Sequence, residues 1–472
     1  MLLKERFAIT RPLEELEISL VRAAAADPSL LDPMEEATVR TALSLARLYK
    51  VRHEGHDVGM GAFLTPFREE VSRKLAPALS GKKPPRRDQL LPLLGGLRES
   101  TLRTREDLLR RFRDRLPPDA IDREIRNKAL VIVAGGGGGT GYVYLGVMSL
   151  LDEAGMKPSL LVGSSMGAIL SLFRARVARF DYGETMNIVR GLSWRKLFRI
   201  ISTESRYGIP AAMRLFLRAG IGRHFGVASE QHGTGLRLKD LPIPTLIAVG
   251  GIRRGMLPHP LEFYERLLRL TPRGLVDPLA VARKVQVAIG ALAELFLRPE
   301  MMVKLHLGAD DDTAQMDALD AAGFSSSLPG VIHYDVLRED RHGHALLDNL
   351  FERHGLFRLI DGGLVDNLPA KAAWRAVHKG SIGTRNALIL GLNAFSPKLS
   401  TPLWLPLERL AALNVAPNLP YAHVVRHFKR TLSPIELVPS VNLASRAVEL
   451  GRNQMVPEMP LLRRLLAPLP AL

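Results

Sequence analysis

The sequence of 472 residues contains no cysteine. Disulfide bridges, thiolate metal sites and a cysteine nucleophile are therefore excluded, and the chain fits a reducing compartment. No apolar run reaches the roughly 18 residues that a membrane-spanning helix needs. The first charge, at Lys4, comes too early for the apolar core of a secretory signal. We therefore expect a cytoplasmic protein that is able to work at a membrane surface.

Positive charge is in excess, with a formal net charge of +17. The stretch Arg98–Arg126 contributes little, because its nine arginines face seven acidic residues, which predicts a solvated helix surface with ion pairs. The stretch Ser171–Glu230 has eleven basic and four acidic residues, interleaved with apolar residues and Trp194. Such basic, partly apolar segments suit anionic lipid surfaces. Nucleic acid is the other candidate partner, but the sequence has neither zinc-finger spacing nor an aromatic RNA-binding signature, so we expect none.

The hydrophobic pattern divides the chain into three parts. Residues 1-126 show apolar residues at three- and four-residue spacing, which predicts a helical N-terminal region. In residues 127-395, short apolar runs such as Ala129–Ala134 alternate with helical stretches, which predicts an α/β domain whose mostly parallel sheet is covered by helices on both faces. Residues 396-472 are rich in proline and leucine and are expected to form a helical extension.

The predicted strand Ala129–Ala134 leads into the loop GGGGGTG and then a helix. This order places free backbone N–H groups at a helix N-terminus, where anions bind. A Walker phosphate loop is excluded because tyrosine, not lysine, follows the last glycine. Gly136, Gly138 and Gly141 fit a dinucleotide fingerprint, but Asp152 comes too early to be its acidic residue. The third interpretation, an oxyanion hole, requires a nucleophile nearby.

A candidate nucleophile follows in KPSLLVGSSMGAILSLFRARV, where Gly163, Ser165 and Gly167 form G-x-S-x-G between a predicted strand and a helix. This is the nucleophile elbow, a sharp turn that exposes a serine hydroxyl in front of a helix N-terminus. A tight glycine turn with a capping serine is the alternative. Since the glycine loop lies only one predicted helix away, two neighbouring strands would present both loops at one sheet edge, which favours the catalytic interpretation.

Asp361 is the candidate general base, in the segment RLIDGGLVDNLPA. It follows a short apolar run and precedes Gly362 and Gly363, whose lack of side chains would let another loop approach. The alternative is a plain Asp-Gly turn, which is common.

Histidines and acidic clusters offer further alternatives. In an α/β-hydrolase the base would be a histidine, and His378, His423 and His427 are available, although each is expected to be a surface or packing residue. His53 and His56 could bind a metal, but a solvated helix end or loop is the default interpretation. The acidic run in ADDDTAQ is expected to lead into a helix cap. We predict no metal and no cofactor.

In this order and spacing, the glycine loop, the elbow and the Asp-Gly-Gly motif resemble the patatin-like phospholipases. The helix sequence YLGVMSLL, the stretch AGFSSSLPGVI (Ala322–Ile332), and Asn367 and Pro369 add to the resemblance. It extends from about Leu130 to Leu392 and does not include the N-terminal helices or the C-terminal tail. It implies a lipid acyl hydrolase with a Ser–Asp dyad, no histidine, an acyl-enzyme intermediate and a phospholipid-type substrate.

Carried over to this chain, the resemblance makes Ser165 the nucleophile and Asp361 its base. It assigns the oxyanion to the backbone N–H groups of three glycines, Gly137, Gly138 and Gly139. Thr140 stands where the family usually has arginine or lysine. This departure leaves a second hypothesis, a weakly active or inactive lipid-binding or scaffolding protein.

Overall fold

The computed structural model describes residues 3–81, 83–199, 205–227, 235–255, 260, 299–336, 338–395 and 412–471. It has twelve strands in this described part: β1 Lys50–His53, β2 His56–Gly59, β3 Ala129–Ala134, β4 Pro158–Ser164, β5 Phe198–Arg199, β6 Ala211–Leu215, β7 Thr245–Arg253, β8 Met302–Leu307, β9 Gly330–His333, β10 Leu356–Ile360, β11 Ala387–Asn393 and β12 Val424–His427.

The described α-helices are α1 Leu3–Ala26, α2 Pro33–Arg47, α3 Thr65–Leu79, α4 Arg87–Phe112, α5 Pro118–Arg126, α6 Val143–Glu153, α7 Met166–Ala175, α8 Tyr182–Gly191, α9 Trp194–Leu197, α10 Leu217–Ile221, α11 Asp311–Ala314, α12 Ala318–Ser325, α13 Arg341–His354, α14 Gly363–Asp366, α15 Ala370–Lys379, α16 Val441–Met455 and α17 Met459–Leu466. None of them is long and apolar enough to cross a membrane.

The chain separates into two compact units. Unit 1 comprises Met1–Val131, Trp374–Ile389 and Met455–Leu472, and unit 2 comprises Ile132–Ala373 and Leu390–Gln454. Parts of the basic stretch Ser171–Glu230 and of the tail 396-472 lie outside the described residues.

Unit 1 contains the helical N-terminal region that the spacing of apolar residues predicts. Helices α1 to α5 bury a stripe of leucines, with Leu20, Leu43, Leu97 and Leu108 fully inaccessible to solvent. Asp32 caps α2 by accepting the N–H groups of its first turn, while Glu35 reaches back in a capping box. Burial of the apolar stripe, rather than propensity, therefore stabilises these helices.

The segment RHEGHD forms a β-hairpin, which corrects the expectation of a helix end or loop around its histidines. Strands β1 and β2 pair antiparallel, with His53 opposite His56. Glu54 and Gly55 form the turn with φ of +48° and +80°. A glycine accepts such a backbone conformation without strain, which explains why the chain reverses here.

The main sheet has seven strands, in the order β10-β7-β4-β3-β11-β12, with β8 also paired to β7. Strand pairs β4–β7 and β11–β12 are parallel, whereas β8 and β10 run antiparallel to β7. Helices flank this mostly parallel sheet, so the predicted α/β architecture is confirmed. A smaller sheet has the order β5-β6-β9.

Strand β7 is the element that brings the two candidate catalytic segments together. Its residues 247–252 pair with β8, so β8 occupies one edge over this length. Both β4 and β10 therefore share the other edge. Ser164 at the end of β4 lies opposite Ala248, and Ile360 at the end of β10 lies opposite Gly250. Strands β4 and β10 run toward each other along this edge, so their carboxyl ends lie opposite positions of β7 that are only two residues apart.

Candidate active site

Ser165 occupies the sharp turn between β4 and α7. Its φ of 52° and ψ of −126° are rare for a residue with a side chain, and a strained turn of this kind costs on the order of 1–3 kcal/mol. The flanking glycines permit the turn, because a Cβ atom on Gly163 would lie 2.6 Å from the Ala168 Cα and one on Gly167 would lie 2.2 Å from the Ala134 carbonyl oxygen. The local fold is therefore the strand–turn–helix that G-x-S-x-G predicts.

Asp361 accepts a hydrogen bond from Ser165. The distance between Ser165 Oγ and Asp361 Oδ2 is 2.8 Å, and the backbone N–H of Gly363 donates to Oδ1 at 2.6 Å. The Asp361 side chain is buried, and burial raises its pKa to about 7, although the bonds from Ser165 and the backbone oppose the shift. Ser165 thus faces a carboxylate that is far more basic than an exposed one.

A segment at the end of α12 holds both partners in place. The backbone N–H of Ser165 donates to Ser325 Oγ at 2.8 Å, and this hydroxyl donates to the Ala248 carbonyl at 2.6 Å. The backbone N–H of Asp361 donates to the Ser327 carbonyl at 3.0 Å. Sequence reasoning found this segment only as part of a resemblance. It missed the role of Ser325, because a serine in a run of three carries no signal of its partners.

The glycine loop lies beside the serine. Gly136 donates its N–H to Asn367 Oδ1 at 3.0 Å, which ties the loop to the segment after Asp361. Gly137 and Gly138 have φ of +133° and +57°, which only glycine adopts readily. In the described part of the chain their N–H groups have no hydrogen-bond acceptor, and both residues line the same cavity as Ser165. They are available to an oxyanion.

Gly139 has a different partner. Its N–H donates to the Pro434 carbonyl oxygen at 3.0 Å, so in this structure the third predicted oxyanion donor is already engaged. Pro434 belongs to residues 433–437, which we call the strap. Leu437 of the strap accepts a hydrogen bond from the Tyr142 hydroxyl at 3.0 Å. Sequence analysis assigned no role to this part of the tail.

Thr140 stabilises the loop internally. Its side chain is buried, and its hydroxyl donates to the Gly137 carbonyl at 2.9 Å. None of the described residues that line the cavity beside Ser165 is a lysine or an arginine. Within the described lining, no cation therefore takes the place of the arginine or lysine that the family usually has at this position.

The cavity in front of Ser165 and Asp361 is apolar, with a volume of about 160 Å³. Its walls come from α6 to α10 and from the residues after α12. Aliphatic and aromatic side chains dominate, among them Leu145, Ile169, Phe173, Val189, Leu217 and Ile332. Such a lining favours a hydrocarbon chain over a polar substrate.

No histidine ring is hydrogen-bonded to Ser165 or Asp361 within the described residues. His378 lies in unit 1, where its Nδ1 is 2.8 Å from the Tyr49 hydroxyl and its ring packs on Trp374. This buried position agrees with the prediction of a packing residue.

The acidic run in ADDDTAQ and the possible metal ligands were the remaining candidate sites. Asp310, in the acidic run, caps α11 by accepting the Thr313 N–H, which confirms the predicted helix cap. No group of three potential metal ligands is clustered in the part of the chain that the structure describes.

Comparison with known protein families supplies the decisive observation. The family model described as Patatin-like phospholipase matches residues 132–374, just over half of the chain. This chain belongs to the patatin-like phospholipase family. The glycine loop, the elbow and Asp361 all lie inside the matched range, whereas the N-terminal helices and the strap lie outside it. The family supports lipid acyl hydrolysis as the class of activity. Comparison with curated proteins found no match for this chain.

Proposed function

We propose that this patatin-like phospholipase hydrolyses carboxylic esters of lipids, as a phospholipase A or lysophospholipase, through a Ser165–Asp361 dyad. One observation carries the proposal: the hydrogen bond of 2.8 Å from Ser165 Oγ to Asp361 Oδ2, at the wall of an apolar cavity. A nucleophile and its base within hydrogen-bond reach are the geometry that covalent catalysis requires.

In the first step, Asp361 accepts the hydroxyl proton while Ser165 Oγ attacks the ester carbonyl carbon. The pKa of Asp361 near 7 supports this transfer, because a carboxylate near its usual pKa of about 3.9 is a poor base for an alcohol. The tetrahedral intermediate collapses when the carbon–oxygen bond to the leaving alcohol breaks. The alcohol takes the proton from Asp361, and the acyl group stays on Ser165.

The oxyanion of the intermediate would accept hydrogen bonds from the backbone N–H groups of Gly137 and Gly138, which have positive φ and face the cavity. Each such donor is worth on the order of 10²–10³ in rate. Gly139 can add a third donor only after the Pro434 carbonyl withdraws from it.

In the second step, a water molecule gives its proton to Asp361 and attacks the acyl carbonyl. The intermediate collapses by breaking the bond to Ser165 Oγ, which recovers its proton from Asp361. The products are a fatty acid and the unmodified dyad, so no cofactor is consumed.

We further propose that the protein docks on membranes near the cavity mouth. Trp194 in α9 is 42% exposed and packs on Phe198, whose side chain lines the cavity. Arg195 and Lys196 beside it are exposed. An exposed tryptophan flanked by cations suits the interface of an anionic bilayer.

Labelling with a fluorophosphonate probe tests the dyad. The wild type should become labelled, because Ser165 Oγ displaces fluoride from phosphorus as Asp361 takes its proton. The variants Ser165→Ala and Asp361→Asn should lose labelling. The neighbouring Ser164→Ala is a matched control, since the Ser164 hydroxyl is buried without a partner. Labelling of Ser165→Ala at the wild-type rate would refute the proposal.

Two observations favour the second hypothesis, a lipid-binding protein without appreciable catalysis. The Gly139 N–H already donates to the Pro434 carbonyl oxygen, and Thr140 provides no positive charge to the loop. Under this hypothesis the folded wild type stays unlabelled in the presence of lipid vesicles. It still co-sediments with those vesicles.

A further inference from the structure

A second and larger cavity, of about 990 Å³, lies within unit 1. Residues from α1, the β1–β2 hairpin, the start of α3 and the end of α4 line it. Its size is at the upper end of the roughly 300–1,000 Å³ typical of small-molecule sites. It lies outside the range matched to the phospholipase family, and the dyad mechanism makes no use of it.

The lining is strongly basic. Among the described residues that line it, five are cationic, namely Arg6, Lys50, Arg68, Arg111 and Arg115, and none is an aspartate or a glutamate. Lys50 has a partner, since its Nζ lies 3.5 Å from the Asp57 carboxylate. In the described part of the chain, none of the four arginines has a carboxylate within 4 Å. We call these four residues the arginine pocket.

Neighbouring arginines on the same helix behave differently. Arg105 pairs with Asp122, Arg110 with Asp107, and Arg113 just beyond α4 lies 3.5 Å from Asp114. These contacts pair three of the nine arginines of the stretch Arg98–Arg126 with nearby aspartates. Arg111 and Arg115 are left out of them and point their charge at the cavity instead. The small net charge of this stretch therefore does not reveal that two of its arginines line the cavity without a carboxylate partner.

Arg6 and Arg68 are held in place by neutral groups, which do not compensate their positive charge. Arg68 donates through Nε to the Ala46 carbonyl at 2.8 Å and through Nη2 to the Leu48 carbonyl at 3.3 Å. Burial lowers its pKa. Arg6 lies over the Tyr49 ring at 5.0 Å, and its Nε atom is buried without an acceptor. Partly buried cations of this kind are costly unless an anion satisfies them.

The rest of the described lining is mainly apolar. Met60 is buried, and Phe63 and Phe112 meet edge to face with ring centroids 6.2 Å apart. Phe63 remains 38% exposed although it lines the cavity. A ligand that fills this space needs a compact anion at one end and hydrocarbon at the other. Planar guanidinium groups match phosphate oxygens particularly well.

We propose that the arginine pocket binds the phosphate group of an anionic lipid, with the lipid's apolar part against Met60, Phe63 and Phe112. Phosphate would accept hydrogen bonds from Arg6 and Arg68 inside the cavity and from the exposed Arg111 and Arg115 at its opening. This site does not rest on the proposed hydrolase activity. It gives the N-terminal helical region, which lies outside the range matched to the phospholipase family, a ligand of its own.

Calorimetric titration of the full chain tests the proposal. The Ser165→Ala variant serves as the background, so that hydrolysis cannot consume the probe. Dioctanoyl phosphatidic acid should bind, inorganic phosphate should bind much more weakly, and dioctanoyl phosphatidylcholine reports any binding to the active-site cavity. Equal affinity for inorganic phosphate, or for phosphatidylcholine, would overturn the proposal.

Two double variants localise the binding. Arg111→Gln with Arg115→Gln should weaken binding of phosphatidic acid about tenfold or more, the loss expected for at least one charge-assisted hydrogen bond. Arg110→Gln with Arg113→Gln removes the same charge beside the cavity and should leave the affinity unchanged. Equal losses in both double variants would overturn the proposal, because the affinity would then depend only on the total positive charge of this surface.

A third variant keeps the test decisive if the first double variant does not fold. Phe63→Ala removes a partly exposed ring and should weaken binding of dioctanoyl phosphatidic acid severalfold, because apolar contact area is lost. Its binding of inorganic phosphate should not change. An unchanged affinity for the lipid would contradict the assigned position of the acyl chains.

Discussion

At the scale of single residues, the environment decides what a carboxyl group can do. Asp27 is exposed and accepts hydrogen bonds from Ser29, which lower its pKa. Asp361 carries the same functional group, but burial raises its pKa to about 7. Only the second can act as an efficient base for a serine hydroxyl near neutral pH.

Activity on a soluble short-chain ester should therefore depend on the protonation of Asp361. We expect the logarithm of kcat/KM to rise with unit slope up to about pH 7 and to level off above it, because only the ionised carboxylate accepts the Ser165 proton. A pH–rate profile between pH 5 and 9 measures this. A profile that is already flat at pH 5.5 would show that Asp361 has its ordinary pKa.

The same raised pKa has a consequence for stability. Between the usual pKa of about 3.9 and the folded value near 7, the folded protein holds a proton that the unfolded chain has released. The free energy of unfolding therefore falls as the pH rises through this window. Asp361→Asn removes this pH dependence. The Tm of the variant minus the Tm of wild type should therefore increase between pH 5 and pH 8. If the difference in Tm between Asp361→Asn and wild type did not change with pH, ionisation of Asp361 would not explain the pH–rate profile.

The chemistry-bearing residues could be predicted, while their supporting contacts could not. Ser165 and Asp361 stand in motifs whose local geometry follows from glycines on either side. Ser325 and Asn367 act through partners more than a hundred residues away, since Ser325 binds the Ser165 N–H and Asn367 binds Gly136. No local pattern encodes such pairings.

At the scale of elements, the strap is the feature that sequence reasoning did not anticipate. Residues 433–437 come from the proline-rich tail, yet their carbonyl groups accept hydrogen bonds from Gly139 and Tyr142. A Cβ atom on Gly138 would lie only 2.1 Å from the Pro434 carbonyl oxygen, so the glycine loop and the strap are in tight contact. The close contact with the strap therefore requires glycine at this position, independently of the proposed oxyanion hole.

Weakening the strap should increase catalysis. Tyr142→Phe removes the hydrogen bond to Leu437, which we expect to favour withdrawal of Pro434 from Gly139 and to raise kcat on a soluble ester about fivefold. Initial rates measure the effect. Tyr182→Phe, at an exposed position, is the control and should behave as wild type. A rate for Tyr142→Phe at or below the wild-type value would mean that the strap does not limit the oxyanion site.

The helices and sheet followed from periodicity, whereas two element-level features did not. The β1–β2 hairpin is too short and too polar to stand out as strands. The antiparallel insertion of β10 beside β7 was also hidden, because the buried run LFRLI looks the same in either direction. That direction places Asp361 at the end of β4, next to Ser165.

At the scale of the whole molecule, the net charge of +17 favours anionic surfaces. Charge alone does not orient a protein on a bilayer. Trp194, exposed beside Arg195 and Lys196, provides a candidate anchor near the cavity mouth.

Removal of this anchor should affect only catalysis at an interface. Trp194→Ala should lower the rate on anionic phospholipid vesicles about tenfold, because the indole no longer inserts, and leave the rate on a soluble ester unchanged. Leu413→Ala, at a position that is 71% exposed in the same unit, is the control. Equal losses in the two variants, or a matching loss on the soluble ester, would argue against docking through Trp194.

The sequence by itself determined the fold class, the family and the two residues of the candidate dyad, because apolar periodicity and glycine-flanked turns act over a few neighbouring residues. Tertiary structure alone decided three things: the raised pKa of Asp361, the engagement of Gly139 by the strap, and the convergence of unpaired arginines on one cavity. Each depends on which distant groups lie beside a residue and on how much water reaches it. The physical reason is that burial and pairing are properties of the folded chain, whereas a motif is a property of its neighbours in sequence.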